Sequence, residues 1–273
     1  MIGLGIGLKF GGAVTLDPAT TAFITAAGIT DPTQINAINR LVLNYKGQGN
    51  LNTSVDLWSV STALFPYVGG SASSHKFNLK NPLDTDAAYR LSFSGGWTHN
   101  SNGITGNTLN TFGNTFLKPS DLSQNSHRLL GYVRTDTGGS AFESIGGASN
   151  AAFTNGIAFD TRKSTNSHAP YSNSGFGAVS NANRTGLTGV IRTASGSFKV
   201  FRNGVALYTV TATSLTPLTI NMYVGAQNNN GSLFNPTGQN LAFEVFGDGL
   251  SDANALIEYN IIQQFQTDLN RNV

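Results

Sequence analysis

From residue 69 to residue 250 the apolar residues come in short runs, each cut off by a cluster of Gly, Asn, Ser and Thr. The runs fall at 88–93, 129–134, 186–192, 197–202, 205–210, 219–225 and 241–246. Short runs with regular polar breaks are the pattern of a β-sandwich or barrel. The sharpest local signal is Arg202-Asn203-Gly204. Asn-Gly accepts the positive φ angles of a two-residue type I′ turn. It stands between Phe198/Val200 and Val205/Leu207, so a hairpin is predicted.

The flanks follow a different period. Asp17-Pro18 is a helix cap followed by Pro at the first helical position, and Gly28 is placed to end that helix. Asp31-Pro32 starts a second helix, with Gln34 at capping-box spacing and a stripe of Ile35, Ile38, Val42 and Tyr45. Gly47 and Gly49 stop it. A third, shorter helix is predicted over 55–64, carrying Leu57 and Trp58 and ending at Pro66. Residues 251–271 predict a closing helix with a stripe of Leu256, Tyr259, Ile262, Phe265 and Leu269. Residues 1–16 alternate Gly with Ile or Leu and predict an extended arm that packs against another element or another chain. A dinucleotide reading of Gly3-Leu4-Gly5-Ile6-Gly7 fails, because no strand precedes it and no helix follows directly.

Charge narrows the partners. Charged residues make up 11% of the chain, against about 25% in an average soluble domain, and the formal net charge is +2. No basic stripe suited to nucleic-acid phosphates is present. Cysteine is absent, which removes disulfides, thiolate metal sites and cysteine nucleophiles. No apolar run approaches the ~20 residues of a membrane span. The first ten residues lack a basic region and are interrupted by Gly, so no secretory leader is expected.

Three segments then resemble the concanavalin A-like/laminin-G-like (LamG) domains. Residues 197–207, SFKVFRNGVAL, resemble that family's valine-x-x-asparagine-glycine hairpin. Residues 219–225, TINMYVG, resemble the strand that follows it. Residues 241–252, LAFEVFGDGLSD, resemble its closing strand and the lead into a short helix. Ser251-Asp252-Ala253-Asn254 lacks the Glu common there, which bears on capping alone. Upstream, residues 23–32, 65–70 with 74–80, and 90–99 resemble virion-associated proteins of tailed bacteriophages infecting Bacteroidota-type bacteria.

The resemblance implies a mainly-β, concanavalin A-like jelly-roll sandwich with an N-terminal helical segment and a C-terminal helix. It implies an arm at 1–16, a helical segment at 17–68 and the sandwich at 69–273. It also implies a phage virion structural protein: a head fibre, decoration or tail-associated component, assembled in the host cytoplasm and carried on the extracellular particle. Such a protein is expected to be no enzyme, to need no cofactor and to form a homo-oligomer, a trimer being one form. Its expected partners are other virion proteins, through the arm, and host surface glycans, with no nucleic acid and no membrane. The alternative is a polysaccharide-degrading enzyme on the same fold.

The residues themselves offer sparse chemistry. Glycosidases work with paired carboxylates, and the three Glu here, Glu143, Glu244 and Glu258, stand far apart in sequence and outside the Glu-x-Asp-x-x-Glu signature of the family's hydrolases. Asp84 and Asp86 fit either a Ca²⁺ loop or a plain turn, and the turn is preferred. His75, His99, His127 and His168 show no zinc spacing, so no metal site is expected. His75 beside Ser73 and Ser74 lacks the elbow a serine nucleophile needs. Sugar contact is the better prospect: Trp97 with His99 beside Asn100, Tyr171 beside Asn173, and Asn228 with Asn229 each combine an aromatic or amide with hydroxyl-rich neighbours. The competing role for Trp97 is a core anchor, and for the Asn-rich loop a simple turn.

Overall fold

The helices form where their caps predict. The computed structural model describes residues 15–136, 142–164, 167–175, 177, 179–180 and 183–273, so the arm at 1–16 lies outside it apart from Thr15 and Leu16. Helices are α1 (Pro18–Ala27), α2 (Pro32–Tyr45), α3 (Ala72–His75) and α4 (Asp252–Asp268). The Asp17 carboxylate accepts from Ala19 N at 2.8 Å, Asp31 from Gln34 N at 2.8 Å, and the Ser251 hydroxyl from Asn254 N at 3.2 Å. Gly28 ends α1 in the left-handed region. Gln34 does not close a capping box: its side-chain oxygen accepts from Gly69 N instead, at 2.8 Å.

In chain order the strands begin with β1 (Ser61–Phe65), β2 (Ser92–Ser94), β3 (Thr98–Asn100), β4 (Gly103–Thr105), β5 (Phe112–Asn114) and β6 (His127–Val133). Then come β7 (Glu143–Ser149), β8 (Gly156–Ser164), β9 (Ser167–Ser172), β10 (Val179–Ser180), β11 (Gly186–Ala194) and β12 (Ser197–Arg202). The last are β13 (Val205–Thr211), β14 (Tyr223–Val224), β15 (Gln227–Asn229), β16 (Ser232–Phe234) and β17 (Asn240–Gly247). The first sheet runs β13-β12-β11-β6-β17-β4-β3, with β1 on β17. The second runs β10-β9-β8-β7-β14-β5-β2, with the β15–β16 hairpin attached to β7. The mainly-β sandwich with helices towards both ends is therefore the observed fold.

Two cores make three layers. Between the sheets lie Phe65, Tyr67, Leu129, Val133, Ile145, Ile157, Phe159, Phe198, Val200, Leu241 and Phe246. The opposite face of the first sheet, with Leu130, Tyr132, Phe243 and Val245, packs on Phe23, Ile38, Val42, Ile262 and Phe265 of α1, α2 and α4. Strands of the first sheet are thus covered on both faces, and all seven residues of β6 are buried. The outer face of the second sheet carries no helix among the described residues.

The Asn203-Gly204 hairpin joins β12 to β13 with φ of 49° and 75°, as the type I′ reading requires. At Gly204 a side chain would also strike Leu256 of α4. Three expectations are corrected. Residues 55–64 form a turn and then β1, not a third helix. Asn52 ties that turn, its Oδ1 accepting from Val55 N (2.9 Å) and its Nδ2 donating to Asn44 O (2.8 Å). The open edge of β17 then takes β1 as an antiparallel partner, so tertiary pairing overrides local helical preference. The runs at 88–93 and 219–225 shrink to β2 and β14, because Tyr89 adopts a left-handed conformation before the first. The α4 stripe is rotated: Leu256 is exposed, and Ala255, Glu258, Ile262 and Phe265 face inward.

Glu258 faces inward because a cation waits there. Arg128 of β6 donates to it twice, from Nε at 3.0 Å and Nη2 at 2.9 Å, and both side chains are fully buried. The Tyr45 hydroxyl adds a third donor at 3.1 Å. The remaining guanidinium hydrogens reach Val60 O, Asp248 O and the Ser61 hydroxyl.

Glu244 of β17 is buried just as deeply, and the polar group that acts on it is the Tyr67 phenol. Burial pushes its carboxyl well above the ordinary 4.5, so it holds its proton to higher pH than the unfolded chain does. Unfolding above pH 4.5 releases that proton, so the group lowers stability increasingly as pH rises. Glu244→Gln is expected to flatten this slope, gaining stability relative to the parent by up to about 1.4 kcal/mol per pH unit. Urea unfolding of both proteins from pH 5 to pH 8 checks it; parallel profiles would show that Glu244 does not titrate.

Candidate functional site

On the open face of the second sheet, side chains of β8 and β9 alternate between the core and the outside. Ile157 and Phe159 point in, while Ala158 and Asp160 point out; on β9, Ala169 and Tyr171 point out beside them. A cavity of about 200 Å³ sits here. Its floor is Asp160, Ala169 and Tyr171, each no more than 2% exposed. Its rim is Phe142, Phe153, Phe234 and Asn235.

Two local devices hold the rim. The turn after β7 is built around Asn150, whose Oδ1 accepts from Thr154 N (2.9 Å) and Asn155 N (3.1 Å). This places Phe153 at φ 56°, an unusual conformation for a bulky residue. Across the cavity the β15–β16 hairpin turns at Asn230-Gly231 and delivers Phe234, whose ring lies 4.8 Å from that of Phe153. Asn235 follows at φ 50°, its carbonyl accepting from Ser144 N at 3.0 Å. Its Nδ2 donates to Asp160 Oδ2 at 2.9 Å. Left-handed residues on both sides of one cavity are strain of the kind kept at functional sites.

Burial first, and the Asp160 carboxylate second, push the Tyr171 phenol well above its ordinary value. Tyr171 therefore serves as a hydroxyl donor and not as a phenolate, with Gln227 also within its reach. The arrangement joins aromatic walls to a carboxylate, an amide and a phenol. These are the groups that meet a sugar's apolar face and its hydroxyls. Asp160 is the one carboxylate among the described lining residues.

Of the sequence-predicted site residues, Tyr171 lies in this cavity. Asn228 and Asn229 lie on β15, the partner of the β16 strand that carries Phe234. Asn228 donates from Nδ2 to Asn221 O (2.7 Å) and accepts from Gly231 N (2.7 Å), which shapes the hairpin. Trp97 and His99 form a separate cluster. Trp97 is half-buried, donates from Nε1 to Phe112 O at 3.3 Å and lies close over Gly225, where any side chain would collide with the indole. Phe93 stands edge-on to both Trp97 and His99.

His99 Nδ1 meets His75 Nδ1 at 3.0 Å, and His75 Nε2 accepts from Gly70 N at 3.2 Å. His75 therefore carries its proton on Nδ1 and donates it to His99, an arrangement that leaves no lone pair for a metal on the shared side. No group of three or more His, Cys, Asp or Glu poised for a metal occurs among the described residues. Asp84 pairs with Lys76 and Arg90, and Asp86 with Arg90, so the Asp-x-Asp loop is tied by cations of the chain itself. Among the described residues no helix is long and apolar enough to cross a membrane.

No family model matches the sequence, and no curated protein does. Solved structures do share its architecture. One is a Trypanosoma rangeli sialidase mutant displaying trans-sialidase activity, with a TM-score of 0.55 at 11% identity over 84% of this chain and 39% of that one. Another is T. rangeli sialidase in complex with sialic acid, with a TM-score of 0.51 at 11% identity over 74% and 32%. This is a fold that sialidases also carry. The chain spans well under half the length of either enzyme. The expectation that the protein is no enzyme is overturned on this point: the chains it superposes on are enzymes, and scarcity of Glu in the sequence does not separate it from them.

Sequence reasoning missed Asp160, Phe153, Phe234, Asn235 and Phe142. No local spacing joins them, since they come from separate turns and strands. The positive-φ asparagines and the Asn150 turn are legible as turn chemistry, but what they aim at is not.

Proposed function

We propose that the protein engages carbohydrate, taking one sugar unit of a glycan into the cavity floored by Asp160 and Tyr171. The observation that carries this reading is the pairing of aromatic walls with a hydrogen-bonded Asp160–Asn235 pair on the outer face of the second sheet. An aromatic wall against a sugar face contributes about 1–2 kcal/mol. Phe234→Ala is therefore expected to weaken glycan binding by about tenfold with the thermal transition unchanged. Calorimetric titration with a panel of neutral, amino and acidic oligosaccharides tests it. Binding that survives both Phe234→Ala and Tyr171→Phe would place the sugar elsewhere, and no binding to any member would remove the reading.

The sialidase architecture supports a second reading, a polysaccharide-degrading enzyme in which Asp160 is the acid nearest the bound sugar. Incubation with the oligosaccharides that bind, followed by mass analysis for shortened products, separates the two. Products lost in Asp160→Asn would establish hydrolysis. The virion setting is likewise a proposal, supported by the sequence resemblance; peptide mapping of purified phage particles tests it.

A further inference from the structure

We propose that β13 is a dimerisation edge: a second copy of the chain adds its own β13 antiparallel to this one, with Val210 facing Val210 across a two-fold axis.

Edge length comes first. The strand paths of the two sheets end in β13, β3, β10 and β2. Three of these ends are two or three residues long, too short to offer another strand much to pair with. β13 has seven residues, with no charged side chain and no Pro to blunt it. β12 takes one side of it, and among the described residues no strand takes the other. Four of the ten large apolar side chains exposed among the described residues, Val205, Leu207, Tyr208 and Leu215, fall on this strand or just after it. Apolar exposure gathered along one unpaired edge is what a partner strand covers.

The order of side chains selects the partner. Val200 faces Tyr208 and Phe201 faces Ala206, so Leu207 is a bulge and regular pairing starts at Tyr208. It runs on to Ala212, whose N–H donates to Gly196 O at 3.0 Å. Val210 and Ala212 pack on the core between the sheets, and the Tyr208 hydroxyl donates to Ser180 O of β10 at 2.6 Å. Tyr208, Val210 and Ala212 thus share the face towards the second sheet. Thr209 and Thr211 take the opposite face and are exposed. Laid antiparallel on itself about Val210, this stretch sets Tyr208 against Ala212, Thr209 against Thr211 and Val210 against Val210. The largest residue meets the smallest, Thr meets Thr, and no charge meets a like charge, all of which favour cross-strand pairing. The same register carries Val205 and Leu207 of one copy towards Leu215 of the other. A contact of this kind closes on itself, so assembly through it stops at two copies.

Sedimentation equilibrium of the purified chain is expected to give a dimer, and Thr209→Glu/Thr211→Glu to weaken it about tenfold or more. In that variant each Glu lies opposite a Glu of the other copy. Within one copy position 209 lies opposite Lys199, so the fold is kept, and circular dichroism checks this. The register has its own readout. The chain has no cysteine, and Val210→Cys sets the single thiol of each copy against its equivalent. Their Cα atoms then lie about 4.5–5.5 Å apart, a separation a disulfide spans. Mild oxidation should give a covalent dimer with Val210→Cys and little with Thr209→Cys. A parent chain that stays monomeric overturns the proposal and leaves the edge to a strand of another protein. A trimer, or a dimer that the two glutamates leave intact, also overturns it. A dimer that the glutamates break but that is not bridged at Val210 overturns the register.

Discussion

Glu258→Ala is expected to destabilise the protein by about 3–5 kcal/mol, the cost of leaving a buried charge unpaired. The charge left behind is the Arg128 guanidinium, which is fully buried and cannot recover water without opening the helix–sheet layer. Its other hydrogen bonds go to Val60, Ser61 and Asp248, so its displacement would disturb both the turn before β1 and the loop before α4. The Tyr45 hydroxyl of α2 loses its acceptor at the same time. Urea unfolding gives the number. The double variant Arg128→Met/Glu258→Leu is the control, because replacing a buried pair by apolar groups of similar size is commonly near neutral. A single variant that loses less than about 1 kcal/mol would mean that the site is hydrated and behaves as a surface pair.

Acidification is expected to destabilise the protein before its carboxylates protonate. Three imidazoles are buried in their neutral form. Burial, followed by the charges of His99 and Arg271, lowers His75 to about 3. Burial lowers His127 to about 4, partly offset by its bond to Ser123, and burial with Arg184 and Arg202 lowers His168 to about 4. His168 has no hydrogen-bond partner on either nitrogen and stands edge-on to Phe159. The unfolded chain takes up these protons from pH 6.5 downward and the folded chain does not. Stability is therefore complete above 6.5 and falls as pH drops towards 4.

Glu244, raised by burial, opposes this by releasing a proton on unfolding over part of the same range. The three imidazoles give a slope that steepens from about 2 kcal/mol per pH unit at pH 6.5, where they are half protonated in the unfolded chain, towards about 4 near pH 5, a loss of about 5 kcal/mol that Glu244 reduces. That is a large part of the 5–15 kcal/mol typical of a domain. Equilibrium unfolding at half-unit steps from pH 7.5 to pH 4.5 checks it. A flat profile would show that these imidazoles protonate in place. His168→Leu should remove about a third of the histidine contribution.

What the sequence made legible were the features whose causes lie within a few residues. Asp17, Asp31 and Ser251 announce their helices, and Asn203-Gly204 its hairpin, because a cap or a turn is satisfied by its own neighbours. β1 was illegible because its partner lies some 180 residues onward, and local composition favoured a turn of helix. Glu258 stood outside the apolar stripe of the closing helix for a related reason: apolar spacing along α4 carries no trace of Arg128 on β6. The cavity follows the same logic. Tyr171 was singled out for its hydroxyl-rich neighbourhood, while Phe153, Asp160 and Phe234 converge on it only through the sheet.

The placement of β1 also dictates when the chain can finish folding. Its hydrogen-bonding partner β17 lies some 180 residues after it in the chain, and Glu258 comes after β17. Until these dock, β1 has an unpaired edge, Arg128 has no counter-ion, and the apolar sides of α1 and α2 have only part of their cover. Contacts of such long sequence separation fold slowly and leave aggregation-prone edges exposed on the way. Docking of β17 and α4 is accordingly the step that closes the β1 edge and covers the Arg128 guanidinium.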